Sequence, residues 1–136
     1  MLAVVDSGPL YAATDTDDDD HARSLAVLER ADLQLVIPTL VVAEVTSIVG
    51  RRLGARAEAR FLRGLAGLDV EAPTPEDWPR IAELVERYED FPLGGADASV
   101  VALAERIGTD LIVTLDRRHF AAIRPRHCAA FQLLPD

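Results

Sequence analysis

The sequence predicts an α/β domain built on a five-stranded parallel sheet with helices over both faces. Three observations carry that expectation. Short apolar runs alternate with longer segments of helical periodicity along the whole chain, the pattern of a buried parallel sheet. The first run, Leu2-Ala3-Val4-Val5, ends in Asp6-Ser7 and is bounded by Gly8-Pro9, which marks a fully buried strand. A chain of 136 residues suits a single core, and no internal repeat or linker divides residues 1–136.

Each element has a local reason. Pro9 to Ala13 follows the first strand as a short helix, and Asp15-Thr16-Asp17-Asp18-Asp19-Asp20 follows that. Acids at 15, 17 and 19 imitate a calcium loop, but its turn glycine would fall on Asp20 and its closing Glu on Ala26. The tract reads instead as acids at the positive end of a helix running from near Asp18 to Ala31, with Ala22, Leu25, Ala26 and Leu28 on its buried face. Leu33 to Ile37 is the second strand, stopped by Pro38. Thr39 caps a helix over Leu40 to Leu53, ended by Gly54.

Ala55 to Leu68 makes a fourth helix, with Ala57, Phe61, Leu65 and Leu68 on one face and Arg52, Arg56, Arg60 and Arg63 along another. The arginine stripe reads as a solvated face; its functional alternative is a ridge for RNA phosphates or a protein partner. Leu68 to Glu71 is the third strand. Thr74-Pro75-Glu76-Asp77 starts a fifth helix by capping, an early proline and first-turn acids, and Ile81, Leu84, Val85 and Tyr88 give its apolar stripe. Trp78 and Tyr88 read as core or interface packing. After Leu93-Gly94-Gly95-Ala96-Asp97, a helix spans Ala98 to Ile107 and Gly108 closes it. Leu111 to Thr114 is the fourth strand, a short helix begins at Arg117, and Phe131 to Leu134 is the fifth strand.

Composition narrows the function. The 23 acids against 14 bases give a net charge of −9, which argues against broad electrostatic binding of nucleic acid. Every base is Arg and none is Lys, and a few guanidinium groups could still grip a phosphate backbone. A P-loop needs Lys, as do phosphoryl-aspartate switches and haloacid-type phosphatases, and the segment after the first strand is not a dinucleotide fingerprint. Ser7, Ser24, Ser47 and Ser99 lack nucleophile-elbow context. His21, His119 and His127 lack metal spacing and read as surface or packing residues. Cys128 is alone, so no disulfide framework or C-x-x-C motif exists. No apolar run approaches the ~20 residues of a membrane helix, and no signal peptide is evident; the cytoplasm is the expected compartment.

Four acids then stand out. Asp6 sits at the carboxyl end of a buried strand, where open α/β sheets bind ligands; a turn role beside Gly8 and Pro9 is the alternative. Glu44 interrupts the apolar Leu40-Val41-Val42-Ala43-Glu44-Val45 with no cation at i±3 or i±4, so it reads as a buried, unpaired carboxylate, or one satisfied by a distant Arg. Asp97 follows a diglycine at a helix start, and first-turn favour by the helix dipole would explain it as well. Asp116 shares with Thr114 one face of the fourth strand's end, or else caps the helix at Arg117. Together they converge on one sheet edge. Like charges so placed need a counter-charge, and Mg²⁺ or Mn²⁺ suits an all-oxygen set. That design is a metal-dependent phosphodiesterase.

The residues V-V-D-S at Asp6, the P-x-x-x-x-x-E helix of Pro38 and Glu44, L-G-G-A-D-A at Asp97 and T-L-D-R-R-H-F at Thr114 and Asp116 together resemble a PIN-domain ribonuclease, specifically a VapC-type toxin. The resemblance covers essentially residues 1–136 as a single PIN domain. It implies a PIN-like three-layer sandwich around the five-stranded parallel sheet. It implies that Asp6, Glu44, Asp97 and Asp116 bind Mg²⁺ or Mn²⁺, with Asp6 and Asp97 the strongest candidates and Ser7 and Thr114 supporting. The implied reaction is endonucleolytic cleavage of RNA by a metal-activated water, as the toxin of a type II toxin–antitoxin pair. Implied partners are an RNA substrate, a VapB-type antitoxin that covers the acidic pocket, and a second copy of the chain, with DNA met only through the antitoxin and no membrane. The alternative is a non-catalytic PIN-like module whose acids dock a basic antitoxin or an RNA-processing partner. The other four-carboxylate nuclease fold needs a mixed sheet led by a hairpin, and no hairpin turn signal occurs here.

Overall fold

The computed structural model describes residues 1–136. Its elements are β1 (Leu2–Val5), α1 (Ser7–Thr14), α2 (His21–Leu28), β2 (Gln34–Pro38), α3 (Thr39–Leu53), α4 (Ala55–Gly64), β3 (Asp69–Glu71), α5 (Asp77–Arg87), α6 (Gly95–Ile107), β4 (Leu111–Val113), α7 (Arg117–Ala122) and β5 (Gln132–Leu134). The strands form one sheet in the order β3-β2-β1-β4-β5, and every neighbouring pair is parallel. The expected five-stranded parallel sheet is therefore present.

Consecutive strand residues point to opposite faces. Ala3, Val4 and Val5 are all buried, as are Leu111, Ile112 and Val113, so helices cover both faces of the central strands. Helix α3 packs on β2, and α6 on β1 and β2. Val41, Val45 and Val49 of α3 are fully buried at i, i+4, i+8 spacing, a one-sided apolar stripe. No helix is long and apolar enough to cross a membrane.

On the far side of α6, the helix pair α5–α6 carries a buried ionic network. Arg80, 7% exposed, donates to both Glu105 carboxylate oxygens at 2.8 Å and to Glu83 at 3.1 Å. Arg106 donates to Asp77 and Glu71. The bidentate fork satisfies a guanidinium that would otherwise be costly to bury.

Several local expectations are corrected. The second helix is shorter than 18–31 and turned by part of a revolution: Ser24 and Val27 are its buried residues, while Ala22 and Ala26 are exposed. Docking against α1, where His21 Nδ1 meets the Ala12 carbonyl at 2.8 Å, sets that rotation over the apolar pattern. The fourth helix stops at Gly64, and a 3-10 turn over Leu65–Gly67 finishes the segment up to Leu68. Thr39 is the first helical residue of α3, not its side-chain cap. Helix α5 begins only at Asp77, whose carboxylate accepts from the Thr74 N–H at 2.9 Å while its own N–H donates to the Thr74 carbonyl; this reciprocal pair closes a turn that holds Pro75. Trp78 is 50% exposed, so of the two expected roles, core or interface packing, the core is excluded.

Candidate functional site

The strand order fixes where a site can form. Counting from β1, the chain moves outward to β2 and β3, then returns to place β4 on the other side of β1. The reversal between β1 and β4 is a topological switch point, and a crevice opens beyond the carboxyl ends of those two strands. Asp6 follows β1 there and Asp116 follows β4.

Asp6 is the anchor. It is 3% exposed, and its N–H donates to the Val113 carbonyl at 2.9 Å, which extends the β1–β4 ladder by one rung. Its Oδ2 accepts from the Thr114 hydroxyl at 2.8 Å, while its buried Oδ1 has no partner in the protein. Burial raises the Asp6 pKa above the usual carboxylate value. The Thr114 hydroxyl and the Ser7 N–H pull the other way, and Glu44 and Asp116 add to the rise. Thr114 is itself fully buried; its oxygen accepts from the Asp116 N–H at 2.9 Å as it donates to Asp6. One hydroxyl thus ties the two strand-end acids together.

Asp97 occupies the first turn of α6, two residues into the helix, where the positive dipole end tolerates an anion. Its carboxyl is nevertheless pushed up to about 7, first by burial, then by repulsion from Asp6, Glu44 and Asp116, with His119 acting in the opposite sense. Asp116 is the N-cap of α7 and accepts from the His119 N–H at 3.1 Å, so its capping role and its place in the acidic group coexist. Its Oδ2 lies 2.6 Å from His119 Nδ1.

Glu44 corrects an expectation. It is exposed, because the face of α3 bearing Ala43, Glu44 and Ser47 is turned away from the Val41-Val45-Val49 stripe. An apolar sequence around a helix does not require burial on every side when one side opens on a crevice. Glu44 still faces the group closely enough to raise both Asp6 and Asp97.

The four acids therefore share one electrostatic neighbourhood, but they are not drawn into a closed ligand set: no three His, Cys, Asp or Glu side chains stand together in a metal-holding geometry. Ser7 contributes its backbone N–H to Asp6. His119, read from sequence as surface or packing, is the residue missed; its position three after Asp116, inside a helix that Asp116 caps, was the available signal. The donors are all hard oxygens, and the unpartnered buried oxygen of Asp6 points to a missing positive charge, so the set fits a hard divalent cation. An apolar hollow of about 390 Å³, lined by Leu10, Ala13, Phe61 and Leu65 among others, has none of the four acids in its walls.

Comparison with known proteins bears on the fold and the family. Residues 3–124 match the PIN-domain family model. The chain is 37% identical over 134 residues to Ribonuclease VapC26 of Mycobacterium tuberculosis, covering 97% of this chain and 99% of that protein. Among solved structures, Mycobacterium tuberculosis VapC20, described as a sarcin-ricin loop cleaving toxin, superposes with a TM-score of 0.75 at 19% identity, over 81% of this chain and 86% of that one. VapBC2 from Rickettsia felis, solved with a promoter DNA fragment, gives 0.71 at 16% identity over 99% and 100% of the two chains. A toxin–antitoxin complex from Klebsiella pneumoniae gives 0.69 at 20% identity over 89% and 92%. With the family pattern spanning the sheet from β1 to β4 and a relative aligned nearly end to end, the chain belongs to the PIN-domain family.

Proposed function

We propose that this chain is the toxin of a type II toxin–antitoxin pair, an endoribonuclease that cleaves RNA phosphodiester bonds with Mg²⁺ or Mn²⁺ held by Asp6, Glu44, Asp97 and Asp116. The observation that carries the reading is the buried, unpartnered oxygen of Asp6 beside Asp97, whose carboxyl is pushed up to about 7 first by burial and then by Asp6, Glu44 and Asp116. When bound, the divalent cation would activate water and stabilise charge on the phosphate. The chain's own residues prepare for it. Thr114 fixes the Asp6 carboxylate through Oδ2 and leaves Oδ1 free to ligate. The His119 contact holds Asp116 in place. Glu44 reaches in from the exposed face of α3. The similarity to a VapC ribonuclease supports RNA as the substrate. The toxin–antitoxin neighbours support an antitoxin partner, and we extend the reading to a homodimer acting in the cytoplasm.

The test is cleavage of total cellular RNA by purified protein in Mg²⁺, in Mn²⁺ and in chelator, with Asp97→Asn alongside. Discrete metal-dependent fragments that vanish in the variant are the expected result. No cleavage from a preparation shown by mass spectrometry to be free of antitoxin refutes the nuclease and leaves the acids as a docking surface.

A further inference from the structure

We propose that Arg118, seated on Phe91, is the cation that grips a phosphate of the RNA strand beside the acidic group; the proposal rests on the nuclease reading above and names the residue that positions its substrate. The chain carries a net charge of −9 and four acids surround the site, so an RNA strand approaches against repulsion. A cation is needed near the crevice that is not already committed elsewhere. Arg23, Arg30, Arg80, Arg106 and Arg126 are paired with carboxylates. Arg117, next to Asp116, is spent on the C-terminal segment, donating to the Pro135 carbonyl at 2.9 Å. Arg56, Arg60 and Arg63 sit together on α4, with no contact that links them to the acids.

Arg118 differs from these, and from Arg52 and Arg87, which stack on Tyr11 and Tyr88, in the run of contacts that joins it to Asp116. It is exposed and its guanidinium carbon lies 5.1 Å from the centroid of the Phe91 ring. That ring packs at 4.6 Å, tilted by 50°, against His119, and His119 holds Asp116 at 2.6 Å. A continuous run of contacts thus joins Asp116 to Arg118. Phe91 belongs to the connection between α5 and α6 that leads into Asp97, so the arginine rests where the segments bearing two of the four acids meet. Stacking on an aromatic face leaves the N–H fork of a guanidinium free at its edge and reduces the freedom lost on binding. The fork matches two phosphate oxygens. A purely structural Arg118 would only cover Phe91.

The experiment measures binding of a fluorescein-labelled single-stranded RNA 30-mer at several salt concentrations, in the Asp97→Asn background so that the probe stays intact. Adding Arg118→Gln is expected to weaken binding about tenfold, the cost of losing one charged hydrogen-bond pair, and to lower the salt slope by about 0.7, the value for one phosphate on a single strand. Arg118→Lys restores the slope and part of the affinity, and Phe91→Leu weakens binding while keeping the slope. In an Asp97-intact background, Arg118→Gln raises KM with kcat little changed. Unchanged affinity and slope in Arg118→Gln overturn the proposal even where wild type cleaves RNA. Loss of slope in that variant without cleavage by wild type upholds the phosphate grip and refutes the nuclease.

Discussion

Replacing Asp97 with Asn removes a charge that the metal-free fold holds against its preference, so the variant should lose activity and gain stability. Asp97 moves from an ordinary value of 3.8 to about 7 in the folded chain, chiefly through burial and then through Asp6, Glu44 and Asp116. The folded state therefore binds this proton more tightly than the unfolded state. Stability falls as pH rises from about 4 to about 7, and the full penalty stands above 7. Each pKa unit corresponds to about 1.4 kcal/mol, but Asp97 is only half-buried and solvent screens much of the interaction. A gain of about 1–2 kcal/mol in Asp97→Asn at pH 8 is the discounted expectation, or roughly 3–8 °C in Tm for a chain of this length.

The assay is thermal unfolding in chelator at pH 8 and pH 4.5, repeated with saturating Mg²⁺ at pH 8. In chelator the variant melts higher than wild type at pH 8, and the difference shrinks toward zero at pH 4.5. With Mg²⁺ at about 100 times its Kd, wild type gains about 2.7 kcal/mol by mass action, whereas the variant gains far less. A variant that melts lower than wild type in chelator, by the same margin at both pH values, would refute the electrostatic account of the site.

Three further outcomes follow from the geometry. Thr114→Val keeps the side-chain shape but deletes the hydroxyl between Asp6 and the Asp116 N–H; urea denaturation should show a loss of about 2 kcal/mol, and RNA cleavage should fall at least tenfold on the order expected for a misplaced reacting group. Glu105→Gln leaves the buried Arg80 guanidinium short of its bidentate partner, which should cost about 3 kcal/mol in the same assay while the folded fraction keeps wild-type cleavage. Gly108 ends α6 with φ +75° and ψ 28°, a left-handed conformation, so Gly108→Ala should lower stability by about 1 kcal/mol with no change in metal response.

The sheet and two of the acids were legible in the sequence because their cues are local. A buried apolar run ending in Asp6 states both the strand and the edge at which its carboxylate emerges, and Thr114-Leu115-Asp116 does the same for β4. What was not legible depends on packing between segments. Helix α2 shows its misread face because the apolar positions Ala22 and Ala26 are small and weakly directing, while contact with α1 selects Ser24 and Val27. His119 lacks the spacing of a metal-ligating histidine; its meaning lies in its place three residues after Asp116, in the helix that Asp116 caps.

Glu44 exposes a more general point about reading sites from sequence. An acid among apolar neighbours is expected to be buried, and the structure places Glu44 in the open. The residue remains in the field of the site all the same, because it raises both Asp6 and Asp97. The two positions divide the work. A buried Asp6, fixed by Thr114 and by the β1–β4 ladder, can offer a cation an oxygen held in one orientation, and it bears the desolvation cost of doing so. An exposed Glu44 on a helix face bears little such cost. The energetic oddity worth seeking in a sequence is therefore a group of acids converging on one edge without a cation of its own, whether or not each member is buried.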